Sequence, residues 1–158
     1  RDYYASRGLG DVYKRQASTI VTKREVIPYE QYHLDNAKLF EGDSIVYIQR
    51  IRYADATPIM IENNYYPCHK FSFLLTEPLD GSLYQLFREN YDICIGCSQN
   101  SYIDAVKAST EQANLLHISP GDPLFLFHTE MYDIHNELIH IGYEYICGSK
   151  YRFCYDNS

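Results

Sequence analysis

Between Asp43 and Asp55 the chain reads DSIVYIQRIRYAD, a run of β-branched and aromatic residues of strand length. Successive strand side chains face opposite ways, so Val46, Ile48, Arg50 and Arg52 share one face. Two unpaired cations on a face shared with valine and isoleucine would be costly. Either nearby carboxylates such as Glu62 neutralise them, or the fold keeps a place there for an anion.

The same pattern returns later. EGDSIVYIQRIRYADATPIMIENNYY (Glu41 to Tyr66) has a counterpart in PGDPLFLFHTEMYDIHNELIHIGYEY (Pro120 to Tyr145), and Gly42 and Gly121 are 79 positions apart (121 − 42). That offset also relates Asp43 to Asp122, Tyr53 to Tyr132 and Tyr66 to Tyr145. Each copy predicts a short polar helical segment ending at Gly-Asp, a strand, a turn (ADATP or DIHNE) and a second strand. Upstream, TKREVIPYEQ and SYIDAVKAST predict an opening strand in each copy. The segment STEQANLLHI predicts a helix capped by Ser109 or Thr110, with Glu111 in its first turn. Two such units predict an α+β domain, an antiparallel sheet flanked by helices with pseudo-twofold character.

Between the copies the period changes. Leu83, Leu86 and Phe87 follow the i, i+3, i+4 spacing of an amphipathic helix begun by Asp80-Gly81-Ser82. The first amides of a helix lack internal partners and carry the positive end of its dipole, so Ser82 and its neighbours form a candidate anion cradle.

Composition narrows the function. The chain has 158 residues, 46% of them hydrophobic and 22% charged, which suits one folded domain with a real core. A net charge of −7 argues against contact with a phosphate backbone by this segment itself, since non-specific DNA affinity rests on clustered cations. No apolar run reaches a membrane span and no signal-peptide series is present, which reads as a cytoplasmic protein. Five cysteines, Cys68, Cys94, Cys97, Cys147 and Cys154, are an odd set for a disulfide framework, and CIGC has no second pair to make a zinc site. The six histidines show no metal-ligand spacing. No metal and no cofactor is expected. Residues 1–17 lack either periodicity. They read as a leader or linker, or as a translation artefact, because GLGDVYKRQ resembles sequence at the ends of unrelated translated fragments. The domain is therefore expected over 18–158.

The ordered set REVIP, the R-x-R-x-A-D run at Arg50, E-x-x-Y-P, G-S-L-Y at Gly81, the second G-D-P-L and the closing Y-R-F resembles the UTRA domain, the effector-binding half of HutC-type GntR transcription regulators. The resemblance runs from about Ser18 to Phe153. It implies a chorismate lyase-like fold, a homodimer, and a winged helix-turn-helix reader of operator DNA that is absent from this chain. It also implies a small-molecule effector, often a phosphorylated sugar, bound by Arg50, Arg52, Glu62 and Ser82, with Tyr65, Tyr66, Glu144 and Tyr151 as further pocket positions. Ala56 replaces the family's turn glycine, and CGSKY replaces R-G-D-R-Y.

A bidentate arginine pair suits phosphate or carboxylate, and the Ser82 helix start adds donors from a second element. Ionised Glu62 accepts hydrogen bonds only, so its expected partner is a sugar hydroxyl or an amine, unless it is simply the arginines' counter-ion. One of Tyr65 and Tyr66 is expected to cover a sugar face. The alternative to a sensor without catalysis is a lyase-type enzyme acting on an aromatic carboxylate, but no nucleophile and base stand at a recognisable spacing.

Overall fold

The computed structural model describes residues 16–150 and residue 152. Within them the apolar runs form six strands, β1 (Ala17–Ile27), β2 (Ile45–Ala54), β3 (Thr57–Pro67), β4 (Ile95–Lys107), β5 (Pro123–Asp133) and β6 (Leu138–Cys147). Three α-helices accompany them, α1 (Cys68–Phe71), α2 (Leu83–Tyr91) and α3 (Thr110–Leu116), with 3-10 turns at Tyr29–Gln31, Ala37–Phe40 and Ser72–Leu75. All neighbouring strands pair antiparallel in the order β1-β2-β3-β6-β5-β4. Exchanging β1, β2 and β3 for β4, β5 and β6 leaves that order unchanged. This is the expected α+β sheet with pseudo-twofold character.

The repeat holds at its entry and slips at its second strand. Gly42 (φ 83) and Gly121 (φ 88) both adopt the left-handed conformation that glycine accepts most readily, each in the bend before a strand. In the first hairpin Tyr53 pairs with Pro58, and in the second Tyr132 pairs with Leu138, so the second turn is one residue longer. The offset of 79 that relates β2 to β5 therefore becomes 80 between β3 and β6. Tyr66 corresponds in space to Ile146 rather than to Tyr145, which a fixed offset had suggested. The local twofold passes by the Asn63 and Tyr143 pair (143 − 63 = 80).

Each face of the sheet carries a helix layer. Val46, Ile48 and Tyr66 pack with Phe71, Leu74, Leu83 and Phe87 beneath α1 and α2. On the opposite face Ile51 and Ile61 meet Ala113 and Leu116 of α3, while Tyr32 and Phe40 cover Ile45, Ile141 and Tyr143. The α3 cap is Ser109, whose Oγ accepts from Gln112 N at 3.1 Å while Gln112 Oε1 accepts from Ser109 N at 3.0 Å, a reciprocal capping box. Among the described residues, β1 and β4 form the two edges, and β4 is exposed along almost its whole length.

β1 begins at Ala17, and Gln16 N donates to Asp55 Oδ1 at 3.0 Å. Cys147 is buried, Cys68 and Cys94 are half-buried and Cys97 is exposed. Cys94 precedes β4, and a register shift between Ile95 and Ser98 means that simple strand parity does not govern the CIGC pair. Cys154 lies outside the described residues.

Candidate functional site

Strand pairing assembles the charged cluster. Arg50 opposes Glu62 across β2 and β3, and Glu62 opposes Glu144 across β3 and β6, so three adjacent strands bring these side chains to one face. Arg52 joins them from two positions along β2. Arg50, Glu62, Arg52 and Glu144 are 1%, 2%, 8% and 8% exposed. Directly opposed carboxylates repel, and a buried carboxylate requires a partner. Arg50 and Arg52 meet that need for Glu62.

The two arginines are engaged unequally. Arg50 Nη2 donates to Glu62 Oε2 at 2.8 Å and reaches Oε1 at 3.4 Å, while its Nη1 donates to the carbonyls of Leu79 (3.0 Å) and Gly81 (2.8 Å). Arg50 thus ties the sheet to the segment that leads into α2. Arg52 has only a 3.7 Å ion pair from Nη1 to Glu62 Oε1, and no hydrogen bond among the described residues. The Nε atoms of both arginines are buried without a hydrogen-bond partner among the described residues. Donors in the cluster that remain to be used therefore belong mainly to Arg52.

Ser82 is the N-cap of α2 and is exposed; its Oγ accepts from Gln85 N at 3.2 Å. The Gly81 carbonyl held by Arg50 sets this helix start one residue from the cluster. A second tie joins α2 to the sheet, the 2.8 Å hydrogen bond between Tyr84 Oη and His140 Nε2.

The two tyrosines separate by strand parity. Tyr66 lies on the arginine face, but it is fully buried among Phe71, Phe87 and His140. Tyr65 points to the other face, stacked on Tyr47 with centroids 4.7 Å apart and edge-on to Tyr32. Burial, with Tyr145 nearby, pushes its hydroxyl up to about 12. The structure does not bring Tyr65 to the arginines. Tyr151 lies outside the described residues. Sequence reasoning missed the carbonyls of Leu79 and Gly81, because a backbone acceptor has no residue-type signature. It also passed over His140 among the histidines judged unremarkable.

Two surface hollows, of about 570 and 410 Å3, lie away from the arginines. Their linings are open and mostly polar, whereas charge converges in the buried cluster, and we place the candidate site at the cluster. No group of three or more His, Cys, Asp or Glu among the described residues is arranged to hold a metal ion. No described helix is long and apolar enough to cross a membrane.

Known proteins share this architecture. The effector domain of PhnF from Mycobacterium smegmatis is 19% identical, with 92% of this chain and 88% of that one aligned at a TM-score of 0.78. Against a longer PhnF chain the TM-score is 0.80, and this chain spans 64% of it. A GntR-family transcriptional regulator from Enterococcus faecalis V583 is 23% identical, with 88% of this chain and 99% of that one aligned at a TM-score of 0.72. These likenesses establish the fold, the chorismate lyase-like arrangement of such effector domains. The family model of the UTRA domain matches residues 13–152, which takes in the last part of the stretch read as a leader. With nearly the whole chain matched, this protein belongs to the UTRA domain family.

Proposed function

We propose that the chain is the effector-binding and dimerisation domain of a cytoplasmic, HutC-subfamily GntR regulator. It binds a small anionic metabolite, a phosphorylated sugar in the first instance, and binding changes the hold on operator DNA of a winged helix-turn-helix domain outside this chain. The observation that carries the reading is Arg52. A guanidinium 8% exposed, with no hydrogen bond and one long ion pair among the described residues, has unused capacity for a planar anion. Arg50 already neutralises Glu62 at 2.8 Å, so an anion at Arg52 meets less opposing charge than the two nearby carboxylates suggest.

Charge also constrains the rest of the ligand. Arg50 and Arg52 balance Glu62 and Glu144, so a bare phosphate gains little net attraction. A ligand with an acidic end for Arg52 and hydroxyls or an amine for a carboxylate suits the cluster better, and a sugar phosphate has both. The α2 start at Ser82 supplies further amide donors. The role proposed is binding without catalysis, since no nucleophile and base stand at a recognisable spacing in the sequence. Dimerisation rests on the family and on the two unpaired edge strands.

A thermal-shift screen of sugar phosphates, followed by isothermal titration of the tightest, tests this reading. A saturable 1:1 ligand whose binding weakens in Arg52→Ala supports it. No stabilising sugar phosphate, or one that binds Arg52→Ala equally well, overturns it. Sedimentation at high micromolar concentration tests the dimer, and a strict monomer contradicts that part.

A further inference from the structure

The larger hollow, about 570 Å3, lies on the opposite face of the sheet from the arginines and is lined by Asp35, Asn36, Asn100, Ser101, Tyr102 and His128. His128 stands across the strand ladders from both Tyr102 and Tyr143. Two asparagines enter from opposite sides in left-handed conformation, Asn36 (φ 56) ahead of the Ala37–Phe40 turn and Asn100 (φ 51) in the β4 irregularity. Both donate their side-chain nitrogens to Oε2 of Glu130, Asn100 at 3.0 Å. A carboxylate only accepts, so this contact fixes both amides with Nδ2 toward Glu130 and Oδ1 turned away. Tyr132 Oη donates to Oε1 of Glu130 at 3.0 Å. Glu130, 2% exposed with three donors, is a satisfied floor beneath the hollow.

What remains to meet a ligand is chiefly acceptors. Neither asparagine Oδ1 has a partner among the described residues. The Asp35 carboxylate accepts from Tyr143 Oη at 3.2 Å and faces the Tyr102 hydroxyl. His128 is 3% exposed, its ring lies 4.7 Å from that of Tyr102 and 4.6 Å from that of Tyr143, and its Nδ1 has no hydrogen-bond partner among the described residues. Burial pulls its pKa below the usual imidazole value, against the pull of Asp35, Glu130 and a hydrogen bond with the Gly142 backbone, and a neutral imidazole keeps one acceptor nitrogen. Among the described residues, no lysine or arginine lines the hollow.

We propose that this hollow is a second small-molecule site, separate from the arginine cluster, for a ligand carrying a primary ammonium group. Three N–H donors match Asp35 and the two asparagine Oδ1 atoms, and the half-exposed Tyr102 ring offers its face to the cation. The buried His128 nitrogen is the acceptor for a further donor on the ligand. Because this site does not use Arg50 or Arg52, its occupancy is independent of the sensor reading above.

The test is a proton–nitrogen NMR titration of the chain with methylammonium chloride, beside tetramethylammonium chloride and sodium chloride at matched ionic strength. Methylammonium is expected to give saturable shifts at the backbone amides of residues 35, 36, 100 and 101 and at the His128 ring, with a dissociation constant on the order of 10 mM for so small a probe. Tetramethylammonium has the charge but no N–H donor, and sodium is a bare ion; both are expected to leave those signals unsaturated. Asp35→Asn is expected to weaken methylammonium at least about fivefold by removing the charge. Asn100→Gly, which glycine's tolerance of positive φ keeps foldable, is expected to weaken it less. Equal shifts with tetramethylammonium or sodium, no saturation with methylammonium, or unchanged affinity in both variants overturns the proposal. The wild-type arms decide it even if a variant fails to fold.

Discussion

The two hairpins of the sheet share an entry and differ at their middle. Both start from a left-handed glycine followed by aspartate, and both pair antiparallel along similar lengths. Where the first sets Arg50 opposite Glu62, the second sets Thr129 opposite Gly142. Thr129 exchanges a hydroxyl hydrogen bond with Ser101 at 2.8 Å, and the second hairpin closes without an ion pair at that level. The scaffold therefore does not require a buried arginine there. Buried ion pairs often add little over apolar packing because both ions lose hydration. The difference between the hairpins agrees with the binding role proposed for the charges.

The largest expected effect separates the two hairpins directly. Arg50→Ala leaves Glu62 buried without its close partner and frees the carbonyls of Leu79 and Gly81, and is expected to cost about 3–5 kcal/mol in urea unfolding. Thr129→Ala at the matching place is expected to cost about 1 kcal/mol, the value of one lost hydrogen bond. Equal costs break the comparison. The double change Arg50→Met with Glu62→Leu sharpens it, since replacing both ions is expected to recover most of the loss.

A smaller effect tests the shared entry. Gly42→Ala and Gly121→Ala meet no atom within 4 Å, so each is opposed only by its positive φ. Both are expected to cost about 1–2 kcal/mol and by similar amounts. A tenfold difference in unfolding equilibrium between them contradicts the symmetry drawn here.

The smallest effect lies in the turn of the second hairpin. Burial pushes the Asp133 carboxyl up, but amide hydrogen bonds from Glu137 and His135 and the 3.0 Å contact from Lys70 Nζ outweigh it and hold the carboxyl below its usual value. A carboxyl depressed in the folded state stabilises fully above its unfolded pKa of about 3.9, and that stabilisation is lost as pH falls through the folded value. Stability of the native chain is thus expected to fall more steeply below about pH 4 than that of Asp133→Asn. Parallel acid profiles contradict this.

Much of this was legible in the sequence. Period-two runs gave the strands, the Gly-Asp recurrence gave the two units, and strand parity placed Arg50 and Arg52 on one face. Asp80-Gly81-Ser82 marked one helix start and Ser109 or Thr110 the other, and the caps are Ser82 and Ser109. The rest depended on long-range geometry. One extra residue in the second turn shifts the β6 register by one, which no local pattern shows, and it removes Tyr145 from correspondence with Tyr66. The inequality of the arginines arises from two backbone carbonyls about thirty positions from Arg50. Asn36, Asn100 and Glu130 meet only because the segment before the Ala37–Phe40 turn reaches across to β4 and β5, so nothing near any one of them in sequence marks the hollow.

The central claim is that Arg52 grips the anionic end of the effector while Arg50 holds the site together. Isothermal titration of Arg52→Ala with the tightest sugar phosphate from the screen, run beside its thermal melt, tests it most directly. The account predicts affinity lower by roughly ten- to a hundredfold, the worth of one charge-assisted contact, with the melt little changed. Unchanged affinity per folded molecule together with a lowered melting temperature would make Arg52 structural, and would contradict the account.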